Sequence, residues 1–435
     1  MRNVCRAAGS LIGLLVLTMV WTATMRGDRQ DFQFVMGTAY YAPPDIPMPK
    51  KGGAILDPIF HTTVTRITDK TADKYIGPGI QNEYAKSDPE NSDGTLLVLR
   101  GNSAAWYLYD ARTFKKIRQL KIFDSGGQEP EPRWDATDPK VFYFVNNMTF
   151  RSYHTGTKKV APIHDFSGEF PGGAFLTTGS EGDASLDRRY WAFRVVDESW
   201  QLVSIVVYDK QLDQIVARKS TGFLDKVNWV GMDMSGNHCI VGYDDLLFPQ
   251  ILPRDLSKVL SLTTGSNGHG DFARTDDGKD VLVYQNVSND CIAMSDLTTG
   301  KETRLVKIPF TTNPDIGLHF SGNCAQTPGW VLVSTYGSRN LPPGTSKHSW
   351  MDTQLFMVEL KKKPRVWRIA HTHAYTSLDY TGDKNYFAEA FAAINTKGSR
   401  IYMGSNWDDY RAEYSEGYRV SLPDNWVDLL PKGNF

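Results

Sequence analysis

The residues most able to do chemistry in this chain each open a short strand-like run. They are Glu83 and Tyr84; Glu131, Arg133 and Trp134; Glu181 and Asp183; Asn228 and Trp229; His269 and Asp271; His319; and Glu389. Imidazole changes charge near neutral pH, so His269 and His319 are candidate proton acceptors or donors. A guanidinium such as Arg133 can neutralise a carboxylate and stabilise developing charge. Imidazole and carboxylate together suit ions such as Mn, Zn or Ca better than soft metals. His269 and His319 are therefore also candidate ligands of one divalent metal, with Asp271, Glu389 and the His371-Thr-His373 pair available to complete it. Trp134, Trp229 and Trp350 offer faces on which sugar rings stack. Each assignment has a plainer counterpart. Carboxylates and Arg133 can pair as a network around a wet channel, the histidines can be hydrogen-bonded without metal, and the tryptophans can be core. The His-x-His step puts both rings on one face of a strand, near an outer strand, where a surface or interface role is the simpler one.

These residues share a site only if distant stretches of chain are brought to a common axis. Short runs rich in branched and aromatic residues, such as Thr95–Arg100, Val141–Val145, Trp191–Val195, Val281–Tyr284, Trp330–Ser334 and Arg400–Gly404, have strand character. Each follows a tight-turn pair: Asp93-Gly94, Asp138-Pro139, Asp187-Arg188, Ser235-Gly236, Asp277-Gly278, Pro328-Gly329 and Lys397-Gly398. First members are spaced 45, 49, 48, 42, 51 and 69 residues apart. Four strands in about 45 residues is the period of a β-propeller blade. Seven turn pairs predict an all-β protein, a seven-bladed propeller with four-stranded blades. The long sixth spacing holds an insertion, Tyr336–Trp350. The last unit lacks a clear fourth strand, and His61–Asp69 is expected to pair with it and close the ring, because an open propeller would expose edge strands. In such a ring the first strand of each blade lines the channel, and the residues above converge on one mouth, the usual place for a ligand.

The pattern resembles the TolB-like and oligogalacturonate-lyase-like propellers. The shared features are Glu181-Gly-Asp183, Gly268-His-Gly-Asp271, the Glu131–Trp134 step, the Pro328–Trp330 turn and the closing Lys397–Trp407 segment, over roughly residues 55–420. The resemblance implies a divalent metal held by histidines on neighbouring inner strands, with His269 and His319 at comparable places. That family shows two alternating histidines on one strand, where this chain has Leu318-His319-Phe320. On a uronate-bearing polysaccharide, β-elimination would use Arg133 or a metal against the carboxylate, His269 or His319 as base, and Tyr84 or the other histidine as acid. Glu131, Trp134, Glu181, Asp183, Asn228, Trp229, Asp271 and Glu389 would bind substrate. Hydrolysis by two of Glu131, Glu181 and Asp183 is a further possibility. The alternative from another class is a non-catalytic propeller that binds a glycan, peptide or partner protein at the same funnel.

Composition narrows the choice. Lys and Arg number 48 against 49 Asp and Glu, which argues against nucleic acid as a partner. Hydrophobic residues at 41% exclude wholesale disorder. Neither a Gly-rich phosphate loop nor a Gly-x-Ser-x-Gly elbow is present. Residues 7–25 carry no charge and follow Arg2 and Arg6, the pattern of a secretory signal or a single N-terminal anchor. Export to the periplasm or medium, or to the membrane surface through that anchor, is expected. The chain divides into 1–29 leader, 30–54 linker or extended arm, and 55–435 propeller. Cys239, Cys291 and Cys324 remain after Cys5, with no Cys-x-x-Cys pair, so buried or free thiols are expected.

Overall fold

The computed structural model describes residues 33–123, 128–222, 227–243, 249–261, 266–340, 348–379, 384–411 and 415–431. The leader and the middle of the Tyr336–Trp350 insertion lie outside the described residues. The strands form seven antiparallel sheets, the blades of a propeller. Their innermost strands, blade 1 to blade 7, are Ile80–Gln81, Arg133–Trp134, Phe175–Thr177, Val227–Met232, Ser266–Arg274, Gly317–Ser321 and Ala393–Ile394. The apolar runs of the sequence are the second strands, for example Leu96–Gly101 and Val141–Asn146.

The repeat has a local cause. Where an inner strand leaves the channel, a short polar side chain caps the turn into the second strand. Asn91 Oδ1 accepts from the backbone N–H groups of Thr95 and Leu96 at 2.8 and 2.9 Å. Asp233 does the same for Asn237 and His238, and Asn395 for Ser399 and Arg400. Ser185 and Thr275 use a hydroxyl for the same purpose. These side chains hydrogen-bond nearby backbone by preference, which is why they favour turns. Gly94 completes its turn with φ +72, in the left-handed region that glycine enters without penalty.

The core lies between blades. In the strand Leu202–Asp209, Ile205 and Val207 pack with Val230, Met232 and Val241 of blade 4. Alternate residues Val206 and Tyr208 pack with Phe150 and Tyr143 of blade 2. Each sheet is thus buried on both faces, so its strands read as continuous apolar runs. Full burial of one such side chain contributes about 1.5–3 kcal/mol. Cys239, Cys291 and Cys324 are buried free thiols.

The ring closes with chain from its beginning. Thr63–Arg66 pairs antiparallel with Glu416–Ser421, Thr63 opposite Ser421 and Arg66 opposite Tyr418, and Ala54–Leu56 adds an outer strand. The arm before it is more than a linker. Val35–Met36 extends blade 6 by pairing with Val366–His371. Fully buried Arg368 donates to the carbonyls of Ala39 and Trp350 and to Gln354 Oε1, and Trp407 Nε1 donates to the Ile46 carbonyl.

Candidate functional site

Two histidines from neighbouring inner strands meet at the mouth where those strands begin. The ring centroids of His269 and His319 lie 5.4 Å apart. Adjacent blades set this: His269 on blade 5 reaches the first strand of blade 6, and its Nδ1 donates to the Leu318 carbonyl at 2.7 Å. That bond puts the acceptor lone pair of the neutral ring on Nε2. Burial, and then the neighbouring His319, lower the His269 pKa from 6.5. At neutral pH it is an uncharged base.

His319 is walled in. Tyr336 stacks on it at 4.9 Å and 22°, Phe391 lies at 4.7 Å, and Tyr84 stands edge-on at 5.3 Å. Its Nε2 is 2.7 Å from Glu389 Oε2. Contact at this distance resembles an ion pair, but burial opposes both charges. It pushes the Glu389 carboxyl up to about 8 and His319 down to about 3. At pH 7 the pair is therefore a carboxylic acid hydrogen-bonded to a neutral imidazole. The Tyr336 hydroxyl hydrogen-bonds Glu389 as well, and burial holds that phenol well above its ordinary range. Tyr386, more than half exposed, lies 4.9 Å from Phe391 and offers an open aromatic face beside the cluster.

Next to the histidines is Lys86, 4% exposed. Its Nζ is 2.8 Å from Glu181 Oε2 and 3.6 Å above the Trp229 ring. Lys86 follows the inner strand of blade 1, whereas Glu181 belongs to blade 3 and Trp229 to blade 4. In a ring of seven, the ammonium has crossed the axis.

Other residues expected at the site have structural partners. Arg133 is not available to a ligand carboxylate. It is 2% exposed, donates to Glu83 Oε2 at 2.6 Å and to the Pro132 and Gly182 carbonyls, and lies 3.8 Å from Asp183. Glu131 accepts from the Thr177 hydroxyl and from the backbone N–H groups of Thr178 and Ser180, tying blade 2 to blade 3. Asp271 accepts from the Phe272 and Gly322 N–H groups, and burial pushes its carboxyl up to about 7. Asp183 accepts from Arg188 at 2.6 Å. Trp134 is buried and donates to the Pro89 carbonyl. Trp229 presents one face to Lys86 and otherwise packs in the core between blades 4 and 5. Asn228 is half-buried, and its carbonyl accepts from Arg194. Trp350 packs on Phe356 and Arg368 in blade 6. His371 and His373 serve Asp57 and Asp408 instead of the funnel.

The metal expectation meets the same geometry. Among the described residues, no three His, Cys, Asp or Glu side chains converge closely enough to hold an ion. His269 Nδ1 is taken by Leu318 and His319 Nε2 by Glu389. These contacts engage one nitrogen of each ring, and no step below passes through a metal.

Sequence reasoning missed Lys86, Tyr336, Tyr386 and Phe391. Lys86 lies two residues beyond Tyr84, outside the repeated positions that marked the other site residues. Below the cluster an axial channel of about 40 Å³ passes Glu181, Trp229, Asp271 and Asp88. A larger cavity of about 160 Å³ lies at the opposite mouth, between Asp88, Trp134, Arg188 and Lys397. The polar groups Asn91 and Asn395 in its wall already serve turn caps, which leaves the histidine end as the candidate site.

No family model matches this chain, and no curated protein matches it in sequence. Among solved structures it is similar to the crystal structure of an oligogalacturonate lyase from Vibrio parahaemolyticus, with a TM-score of 0.58 and 14% identity over 87% of this chain and 100% of that one. The two share the seven-bladed propeller fold.

Proposed function

We propose that the histidine mouth binds an acidic glycan and cleaves it by β-elimination. The observation that carries this is a neutral imidazole base, His269, beside a buried hydroxyl and carboxylic acid relay, Tyr336 and Glu389, with a lysine ammonium at the same opening. In the reaction His269 Nε2 takes the C5 proton of a uronate. The electron pair forms the C4=C5 double bond, the C4–O bond breaks, and the departing oxygen takes a proton from Tyr336, with Tyr84 the neighbouring phenol. Glu389, protonated at neutral pH, restores the Tyr336 proton. Positioned general acids and bases contribute roughly 10²–10⁴-fold each. Tyr386 supplies the stacking surface first assigned to tryptophans. The lyase of similar fold gives the reaction class. The N-terminal leader would place the site outside the cytoplasm, where such polymers are met.

The test is ultraviolet absorbance of the unsaturated uronate after mixing the purified protein with pectate, alginate or ulvan. Absorbance should rise for one of them and fall roughly 10²–10⁴-fold for His269→Gln at unchanged Tm. No rise with any acidic glycan overturns catalysis. A second proposal is that the same opening binds a glycan without cleaving it. It predicts glycan binding with no new absorbance.

A further inference from the structure

Building on the acidic-glycan proposal, we infer that Lys86 is the anion anchor of the funnel and that a ligand carboxylate takes it over from Glu181. The pair is asymmetric. The Lys86 side chain is 5% exposed and that of Glu181 20%, so the cation is fixed in the floor while its partner is reachable from solvent. The Trp229 face, 3.6 Å from Nζ, gives the ammonium a second contact that does not involve Glu181. The ammonium is thus kept in place for a replacement anion.

The neighbouring cations cannot do this. Arg133 is held by Glu83 and two backbone carbonyls. Arg188 is held by Asp183 and the Trp134 carbonyl. Removing Glu181 without replacement would leave a buried cation unpaired, which is strongly unfavourable. Exchanging one carboxylate for another keeps the ion pair and returns Glu181 to water. A neutral sugar or a methyl ester cannot make that exchange. A dianion would add charge next to Asp183 and Asp271, which lie in the same channel. The geometry therefore selects a single carboxylate, inserted towards the axis.

Isothermal titration of the full chain tests this, with oligouronates from pectate, alginate and ulvan and their methyl esters as probes. Lys86→Met should weaken the acid roughly tenfold or more and bring it to the affinity of its ester. Glu181→Gln, which keeps the shape and removes the competing charge, should tighten the acid by roughly three- to tenfold and leave the ester unchanged. Glu181→Gln binding that is unchanged or weaker overturns the exchange, and this arm decides if Lys86→Met fails to fold. So does wild-type affinity in a folded Lys86→Met. Acid binding that ignores both side chains refutes this inference alone. No binding of any oligouronate to the wild type refutes it together with the glycan proposal.

Discussion

Replacing Glu389 by Gln separates the proton content of the site from its shape. Burial raises the carboxyl from 4.5 to about 8, with His269, Lys384 and Tyr336 only partly offsetting it. Between those values the unfolded chain has lost this proton and the folded chain keeps it. Stability then falls as pH rises, by about 1.4 kcal/mol for each pH unit. The stabilising contribution is complete below pH 4.5 and lost by pH 8, a total of about 5 kcal/mol. Gln has the shape of the protonated acid and can donate the same bond to His319 Nε2, but it has no proton to lose. The variant should match the wild type near pH 5 and exceed it progressively towards pH 8, with no further gain beyond. Urea unfolding followed by tryptophan fluorescence at half-unit steps from pH 5 to 9 measures this. A variant that is less stable than the wild type by a constant amount across the range would refute the neutral pair and show that Glu389 works as a carboxylate.

Arg133→Met should cost about 3–5 kcal/mol in the same assay, because Glu83 is left buried without its cation. The loss should be smaller at pH 5 than at pH 8, since Glu83, raised to about 7, can then take a proton. Gly182→Ala would set a Cβ 1.7 Å from the Val230 carbonyl oxygen. The backbone has to shift, at a cost of roughly 1–3 kcal/mol, and a Tm equal to the wild type would mean the blades are not packed this closely. If the chain is a lyase, the acidic limb of kcat/KM belongs to His269, whose pKa is lowered from 6.5. Activity should persist below pH 6.5 and fall only as the imidazole gains its proton, so a limb above 6.5 in the pH–rate profile would exclude His269 as base.

The blades were legible because each one repeats a local device, a capping side chain followed by a tight turn and an apolar strand. The closing strand was legible for the opposite reason: the last blade was one strand short, and His61–Asp69 had nothing else to pair with. Val35–Met36 was not legible, since two residues carry no periodicity and the partner strand is more than 300 residues away. At the site, the sequence located His269 and His319 correctly on adjacent inner strands, because position in a repeat fixes position on the axis. It could not say which polar groups were already satisfied. The donors to Glu131 come from Thr177, Thr178 and Ser180 on the next blade, and those to Asp271 include Gly322 on the next. Lys86 fell outside the repeat and finds its partners two and three blades away.

Counting donors on each carboxyl separates structural acids from chemical ones. Glu131 has three donors. Glu90 has Arg400, Asn395 and Tyr402. Asp271 has two backbone N–H groups, one of them from the neighbouring blade. These groups hold sheets together, and a ligand would have to break several bonds to reach them. Glu83 has one partner, Arg133, and a buried Oε1 with none. Glu389 accepts from one donor, the Tyr336 phenol, and separately contacts His319 Nε2, and Glu181 accepts from Lys86. A buried carboxyl short of donors, such as Glu389, is poised to hold or give up a proton, and Glu181, with Lys86 as its ion-pair partner, to change partner, because little is lost in either case. Two of these three under-bonded acids, Glu389 and Glu181, abut the histidines and the axial lysine. On the proposed function, the funnel would react where its hydrogen bonding is incomplete, and the saturated acids around it keep that opening in shape.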